Sequence, residues 1–333
     1  MFQTIRKINP TSSGITGNHI HKVYYQEEIH MLFTEFKNYA KENIINYLTP
    51  DFEGAEMSIR TIHKANGYSY EALSIGKKGE KCSVIPALDL TRAFEKYQQG
   101  ADLDEVLSEL ADIRMNAKLN NFDKNSILTF EGIKDKILPR LVNTATNAEY
   151  LSNKPHVEFE DLSIMFVVRV EATSEGIADA PIDNQLMNLW NVDLESIKAA
   201  AFENITNQQP VFMSIEKALF EGKMNEDIFD LDNIDPEEEE FPLYILTNKQ
   251  KVQGASIIFN KPLMERIAEK LGKFLIIPSS IHEVLIIPAN TGRDTKELSD
   301  LVKRINDEVL SPRDRLSDNV YEFDIEEDTI KIA

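Results

Sequence analysis

The stretch AEMSIRTIHKANGYSYEALSIG, residues 55–76, contains two runs in which apolar and polar residues alternate, one on each side of Asn66 and Gly67. Alternation with a period of two is typical of a strand with one buried face. Asn-Gly between two such runs is a strong signal for a β-hairpin, because both residues tolerate the positive φ that a tight hairpin turn needs. The stretch therefore predicts an antiparallel pair of strands.

Helices are predicted on both sides of this hairpin. Residues 26–48 carry apolar side chains at helical spacing, which indicates a helix that packs on a sheet. After the hairpin, residues 88–100 form a helical segment closed by Gly100, and residues 101–119 begin with an acidic turn that suits a helix N-terminus.

The same order of segments recurs twice. Residues 162–171 and 177–182 predict a second hairpin before further helices, and residues 241–248 and 255–260 predict a third. We therefore predict an α+β fold with mostly antiparallel sheet, built from three hairpin-plus-helices units. The predicted segments are an N-terminal segment (1–21), an N-terminal helix plus the first unit (22–130), a connector helix plus the second unit (131–225), an acidic linker (226–240), and the third unit with a C-terminal tail (241–333).

Bulk composition narrows the class of protein. The start, MFQTIRKINPTSSG, lacks an apolar stretch followed by small residues, and no run of about eighteen apolar residues occurs. We therefore expect a cytoplasmic protein that does not bind membranes. Cys82 is the only cysteine, which excludes an internal disulfide and multi-cysteine metal sites.

Acidic residues dominate the charge, with 56 Asp and Glu against 36 Lys and Arg and a formal net charge of −20. A nucleic-acid-binding surface needs clustered Lys and Arg, so we expect no direct contact with nucleic acid. Residues 226–240, EDIFDLDNIDPEEEE, hold nine carboxylates and no basic residue. We interpret them as a solvated linker, because like charges repel, and their spacing does not match a calcium-binding loop.

Asn143 and Asn147 are four residues apart in the predicted connector helix. Asn is a poor residue for a helix interior because its side chain competes for backbone hydrogen bonds. The two side chains either fasten a neighbouring loop or line a polar pocket. We favour the first interpretation, since most buried polar side chains have structural hydrogen bonds.

The stretch FLIIPSSIHEVLIIPA, residues 274–289, places Ser279, Ser280, His282 and Glu283 between two apolar runs. These side chains are either a nucleophile beside its base or the polar tip of a hairpin. A strand would point His282 and Glu283 to opposite faces, and no G-x-S-x-G elbow occurs in the chain. We favour a hairpin whose hydroxyls bind turn amides.

Three other histidines, His19, His21 and His156, are candidates for catalytic or metal-binding groups. His156 precedes Asp161, a carboxylate that could orient it as a general base, but five residues across a loop fix no geometry. A histidine that bridges backbone groups is the preferred interpretation. His19 and His21 lack a nearby carboxylate pattern, so no metal and no cofactor are predicted.

Several segments together resemble a known family. They are LVNTATNAEYLSNKPHVEFEDL (141–162), AAAFENI with Asn204, the runs YILTN, GASIIF and IPSSIHEVLIIP, and LSDNVYEFD (316–324). They are similar to a bacterial domain family of unknown function, the one numbered 5688, over about residues 25–324. The resemblance implies a common fold and an association with mobile elements, but no activity. At Ala65 the family more often has Asn, so we assign no function to the hairpin turn.

Two functions are compatible with these observations. The first is a non-enzymatic cytoplasmic interaction protein associated with mobile elements, which binds a basic protein surface by electrostatic steering. A narrower form is an acidic DNA mimic that occupies a host factor. The alternative is a hydrolase or transferase whose pocket gathers His156, Asp161, Asn143, Asn147 and His282.

Overall fold

The computed structural model describes residues 31–78, 85–116, 126–173, 176–220, 228–236, 239, 242–291 and 294–333. Cys82, His19 and His21 lie outside these residues. The described chain combines α-helices with antiparallel strands, which confirms the predicted α+β class. In these ranges, every helix is too short or too polar to cross a bilayer.

The first sheet is built around the predicted hairpin. Its strands are β1 (Glu56–His63), β2 (Ser69–Gly76) and β3 (Ala87–Asp89), and the helices that cover it are α1 (Phe33–Asn43), α2 (Leu90–Gln98) and α3 (Leu103–Asn116). Asn66 and Gly67 have φ values of 60° and 67°, so both central turn residues adopt the left-handed conformation of a type I′ turn. The side chain of Asp89 accepts a hydrogen bond from the Arg92 amide and caps α2.

The second sheet is organised by one long strand. It contains β4 (Ile137–Asn143), β5 (His156–Phe159), β6 (Leu162–Thr173) and β7 (Gly176–Pro181), and the helices of this region are α4 (Phe130–Ile133), α5 (Ala148–Leu151), α6 (Asn184–Trp190) and α7 (Leu194–Ile205). β4 pairs along one edge of β6, while β5 and then β7 pair along the other. The β6–β7 pair followed by α6 and α7 matches the order predicted for the second unit.

The predicted connector helix is wrong, because residues 137–143 form β4. A short apolar run such as ILPRLV does not distinguish a buried strand from a helix by its periodicity. Pro139 is tolerated because β4 is an edge strand of its sheet.

The third sheet has six strands in the order β13-β12-β10-β11-β9-β8. They are β8 (Pro210–Ser214), β9 (Tyr244–Asn248), β10 (Phe274–Ile277), β11 (Val284–Pro288), β12 (Tyr321–Asp324) and β13 (Thr329–Ile332), with helices α8 (Ile215–Phe220), α9 (Lys261–Leu271) and α10 (Thr295–Val309). The predicted β10–β11 hairpin is confirmed, with Phe274 opposite Pro288. The second strand predicted at residues 255–260 is wrong, since Ala255–Phe259 is a 3₁₀ helix.

One hydrophobic core joins the second and third sheets. Phe166 of β6, Ile205 of α7, Ile267 of α9 and Ile276 of β10 belong to it, and all four are fully buried. The first sheet and its helices have a separate core. On the other face of the third sheet, α10 packs through Leu298 and Val302. The core of the first sheet is thus separate from the core shared by the other two sheets. A cleft lies where the first hairpin meets the C-terminal region.

The middle of the predicted acidic linker is packed and not solvated. Asp230 is buried and forms an ion pair with Lys217, while Leu231 and Ile234 belong to the shared core. These apolar side chains gain more from burial than the neighbouring carboxylates lose, because Asp230 has a cation and Asp232 and Asp235 stay exposed. The ends of the stretch, residues 226–227, 237–238 and 240, lie outside the described residues.

Candidate functional site

A polar cleft of about 660 Å³ lies where the first hairpin turn meets the C-terminal region. The turn, the end of β4, the β5–β6 turn, α10 and the loop before β12 all contribute to it. Its lining residues are Asn66, Asn143, Thr146, Asp161, Ser299, Asp300, Lys303, Pro312, Arg315, Leu316, Asp318 and Asn319. The volume falls within the range of about 300–1,000 Å³ that is usual for small-molecule sites.

Two asparagines, Asn147 and Asn66, hold together the wall of the cleft that contains the first hairpin turn. Asn147 is fully buried, its Oδ1 accepts from the backbone N–H of Asn66 at 2.5 Å, and its Nδ2 donates to Asn66 Oδ1 at 2.8 Å. Asn66 Nδ2 in turn donates to the carbonyls of Arg313 (2.8 Å) and Arg315 (2.9 Å). Asn147 therefore fixes the hairpin turn, and Asn66 fastens that turn to the C-terminal loop.

Asn143 ends β4 and faces the cleft. Its Nδ2 donates to the Leu316 carbonyl at 3.1 Å, and its Oδ1 accepts from the amide and hydroxyl of Thr146 at 3.1 and 3.2 Å. This side chain lines the cleft and at the same time positions the loop opposite it.

Asp161 occupies the turn between β5 and β6 and lines the cleft. Its Oδ2 accepts from Ser317 Oγ at 2.9 Å, and its Oδ1 accepts from the Tyr321 hydroxyl. The pKa of Tyr321 is raised, first by burial and then by the hydrogen bond to Asp161 and the charge of that carboxylate. In the described part of the chain, Asp161 forms no ion pair and is held by neutral hydroxyls.

The lower wall is a charge network around Arg315. Its guanidinium contacts both carboxylate oxygens of Asp318 and also Asp307 Oδ1, at 2.5–3.1 Å. Asn306 Nδ2 donates to Asp318 Oδ1 at 2.8 Å and to the Ser317 carbonyl at 3.1 Å. Arg315 is thus neutralised by carboxylates and shapes the wall.

Other polar groups at the cleft have no such partners. The side chains of Ser299, Asp300, Lys303 and Asn319 line it and form no hydrogen bond or ion pair with any described residue. Ser299, Asp300 and Lys303 all come from α10. These groups remain able to bind a polar ligand.

His282, Glu283 and the two serines support the cleft from behind and do not line it. The amides of Leu316 and Ser317 donate to the carbonyls of Ser279 and Pro278, at 2.8 and 2.9 Å. Ser280 is buried, and its Oγ accepts from the His282 amide at 3.0 Å.

Both ring nitrogens of His282 form hydrogen bonds. Nδ1 accepts from the Gln253 amide at 3.3 Å, so Nε2 carries the proton that is shared with Asp314 Oδ1, also at 3.3 Å. Burial is the main cause that raises the pKa of the neighbouring Glu283, against a lowering hydrogen bond from Ser280.

His156 and Asn204 lie away from the cleft. His156 Nδ1 donates to the Lys154 carbonyl at 2.8 Å, and the residue pairs with Met165 in the sheet. Asn204 Nδ2 donates to the carbonyls of Lys134 and Ile137, at 2.6 and 2.9 Å, and so holds α7 to the start of β4. Of the sequence candidates, only Asn143 and Asp161 line the cleft, with Asn147 directly behind.

Sequence reasoning missed several residues of the cleft. Ser317 and Tyr321 meet Asp161 across more than 150 positions of the chain. The sequence pattern marks Asn66 only as a turn residue. Its carboxamide, which can donate and accept hydrogen bonds, is the one feature of the sequence that points to a further contact. Within the described residues, no group of three or more His, Cys, Asp or Glu side chains could hold a metal ion.

A second surface is strongly acidic. On α3, Glu105 and Asp112 are exposed and make no ion pair with a described residue, while Glu109 pairs with Lys96 of α2. Between α2 and α3 lies a groove of about 250 Å³, with Val106, Leu110 and the half-exposed Ile113 among its lining residues. The lining of the groove also contains two carboxylates, Asp89 and Glu109, and two cations, Arg92 and Lys96, so the unpaired negative charge of this surface comes from Glu105 and Asp112 on α3.

Comparison with known proteins identifies a family for this chain but indicates no activity. A family model described as "Family of unknown function (DUF5688)" matches residues 33–325, nearly the whole chain. No curated protein and no solved structure matches.

Proposed function

The chain belongs to this family of unknown function, DUF5688, and we propose that it is a non-enzymatic interaction protein that binds a basic protein surface. The formal charge of −20 favours cationic partners and disfavours anionic ones. The resemblance to a family found near mobile elements supports a partner that is encoded by such an element or by its host.

The observation that carries the proposal is the acidic face of α3. Glu105 and Asp112 are exposed on α3, the helix that supplies Val106 and Leu110 to the groove, and neither forms an ion pair with a described residue. Ile113 is 49% exposed at the lip of the groove. Lys or Arg side chains of a partner would meet the two carboxylates while one apolar side chain enters the groove.

The arrangement of the imidazoles supports a non-enzymatic role. A hydrolase or transferase of the kind considered above needs His156 and His282 at one pocket. The His156 imidazole donates to the Lys154 carbonyl, and both ring nitrogens of His282 already form hydrogen bonds. Neither residue lines the cleft.

The test begins with capture on the immobilised full-length protein from an extract of the source organism, at low and at high ionic strength. A captured protein is then purified and titrated against the wild type and against the double variant Glu105→Gln/Asp112→Asn. We expect binding that weakens as salt increases, because screening shortens the range of surface charges. The double variant should bind roughly tenfold more weakly.

The matched control is Glu265→Gln/Glu269→Gln on α9, which removes from another surface the same number of exposed carboxylates that form no ion pair with a described residue. It should bind like the wild type. If both double variants weakened binding equally, the effect would come from net charge alone. That result would contradict a binding site on α3. Failure to find any salt-sensitive partner would contradict the proposed function.

A further inference from the structure

Two opposite charges line the polar cleft without neutralising each other. Asp161 is held by the hydroxyls of Ser317 and Tyr321, and Lys303 projects from α10. Neither forms an ion pair with a described residue, although the other cation at the cleft, Arg315, contacts two carboxylates. The cleft therefore presents two anions, Asp161 and Asp300, and one cation, Lys303, that form no ion pair with a described residue, although the charge of Lys303 also acts on Asp318.

From this pairing we propose that the cleft is a binding site for a small zwitterion, a free amino acid or a short peptide. The ammonium group of the ligand binds Asp161, and its carboxylate binds Lys303. Charge-assisted hydrogen bonds of this kind are about twice as strong as neutral ones. Asp300, on the same helix as Lys303, offers a second acceptor for the ammonium group.

The remaining lining fits the amide and side-chain groups of such a ligand. Ser299 and Asn319 have side chains without a partner among the described residues and can donate and accept hydrogen bonds. Leu316 and Pro312 supply a small apolar surface. Ligand sites of this size commonly combine apolar contacts with a few oriented polar groups.

Other ligand classes fit less well. A nucleotide or another polyanion would find Lys303 as the one cation of the lining that lacks a carboxylate partner among the described residues, with Asp161 and Asp300 close by. A sugar site usually offers an aromatic face, and no aromatic residue occurs among the lining residues. A divalent cation has no cluster of three suitable ligands in the described chain.

The wall of the cleft is also rigid enough to position a ligand. The turn at Asn66 is held by Asn147, and the opposite loop is held by Asn143, Asn306 and the backbone of residues 278–281. Fixing the binding groups before the ligand arrives reduces the entropy lost on binding.

The test is calorimetric titration of the full chain with the common free L-amino acids and dialanine. N-acetyl-alanine, which lacks the ammonium group, and alanine amide, which lacks the carboxylate, serve as one-charge analogues. We expect saturable binding of at least one zwitterion and at least about tenfold weaker binding of its one-charge analogue. No saturable binding by any member of the panel, or equal binding by the one-charge analogues, would overturn the proposal.

Variants test the assignment of the ligand carboxylate to Lys303 and the supporting role of Asp300. Lys303→Met should weaken the binding of the zwitterion about tenfold while leaving the binding of its amidated form unchanged, because that form has no carboxylate. Asp300→Asn should weaken binding less than Lys303→Met, since Asp161 remains. Lys296→Met removes an exposed lysine of the same helix that does not line the cleft, and it should bind like the wild type. Unchanged binding by Lys303→Met contradicts the proposal.

Discussion

Asn147 pairs with Asn66 through both atoms of its carboxamide, with Oδ1 accepting from the Asn66 amide at 2.5 Å and Nδ2 donating to Asn66 Oδ1 at 2.8 Å. The two residues are 81 positions apart, and the contact joins the first hairpin to the region of the second sheet. A carboxamide that donates and accepts in this way resembles a backbone peptide group in a strand pair. The two hydrogen bonds therefore fix the position of the turn against Asn147.

The first prediction concerns this pair. Asn147→Ala should lower the free energy of unfolding by about 1–3 kcal/mol, because it removes a buried carboxamide and leaves the partly buried Asn66 amide and Asn143 carbonyl without its hydrogen bonds. Urea unfolding followed by circular dichroism measures the loss.

Hydrogen exchange supplies a local measurement for the same variant. The Asn66 amide should exchange much faster in Asn147→Ala than in the wild type. Asn188→Ala is the control, because Asn188 is exposed on α6 and the change should alter stability by less than about 0.5 kcal/mol. Equal protection of the Asn66 amide in both variants would show that the pair does not hold the turn.

Two glycines should respond differently to alanine. Gly67 has a φ of 67° but open space around its Cα, so Gly67→Ala should cost about 1–2 kcal/mol for the left-handed conformation alone. A Cβ on Gly254 would lie 2.5 Å from the His282 carbonyl oxygen and 2.9 Å from the Asn248 nitrogen. Gly254→Ala must therefore displace backbone and should cost more than about 3 kcal/mol.

Thermal and urea unfolding of both glycine variants rank the two costs. Soluble expression at reduced temperature is the fallback measurement for Gly254→Ala if that variant does not fold. A Gly254→Ala protein as stable as Gly67→Ala would be incompatible with the close approach of residues 248, 254 and 282.

Local patterns were sufficient for much of the fold. The hairpin at Asn66–Gly67 and the helix α9 between Pro262 and Gly272 are specified by turn chemistry and periodicity within one segment. β4 was missed because its apolar run has no periodicity that separates strand from helix. The 3₁₀ helix at Ala255–Phe259 could not be predicted, because its short apolar run looks like a strand in the sequence. Its shape is set by the packing of these side chains in the core.

The cleft depends on contacts that no local pattern encodes. Asp161 meets Ser317 and Tyr321 only after the second and third sheets pack on one core. The predicted helix face shared by Asn143 and Asn147 is wrong, because Asn143 ends β4, yet both residues lie at the cleft wall. An asparagine in a buried position needs partners, and that requirement holds in a strand, a turn or a helix.

Glu283 should make stability depend on pH. Burial raises its pKa above the ordinary value of 4.5, so its favourable contribution is fully present below pH 4.5 and is lost as the pH rises through the raised value. At pH 7 this partly buried carboxyl group therefore contributes less to stability than it does at pH 4.5. Glu283→Gln should therefore raise the Tm at pH 7, and the difference between the variant and the wild type should shrink as the pH falls towards 4.5.

Thermal unfolding between pH 4 and 8 measures this difference. Glu308→Gln is the control, because Glu308 is exposed on α10 without an ion-pair partner among the described residues. A Glu283→Gln protein with a lower Tm than the wild type at pH 7 would mean that the carboxylate has a stabilising role that burial alone does not describe.

The last prediction concerns a buried cluster in the second sheet, where Asp179 contacts both Arg140 and Arg169. The Arg140 side chain is 5% exposed, and burial lowers its pKa despite the charge of Asp179. Asp179→Asn leaves the buried guanidinium of Arg140 and the partly buried one of Arg169 without their anion, so it should cost about 3–5 kcal/mol of stability. Asp232→Asn breaks an exposed pair with Arg266 and should cost less than about 0.5 kcal/mol. Urea unfolding of the two variants compares the costs directly, and similar small losses in both would show that the cluster is hydrated in solution.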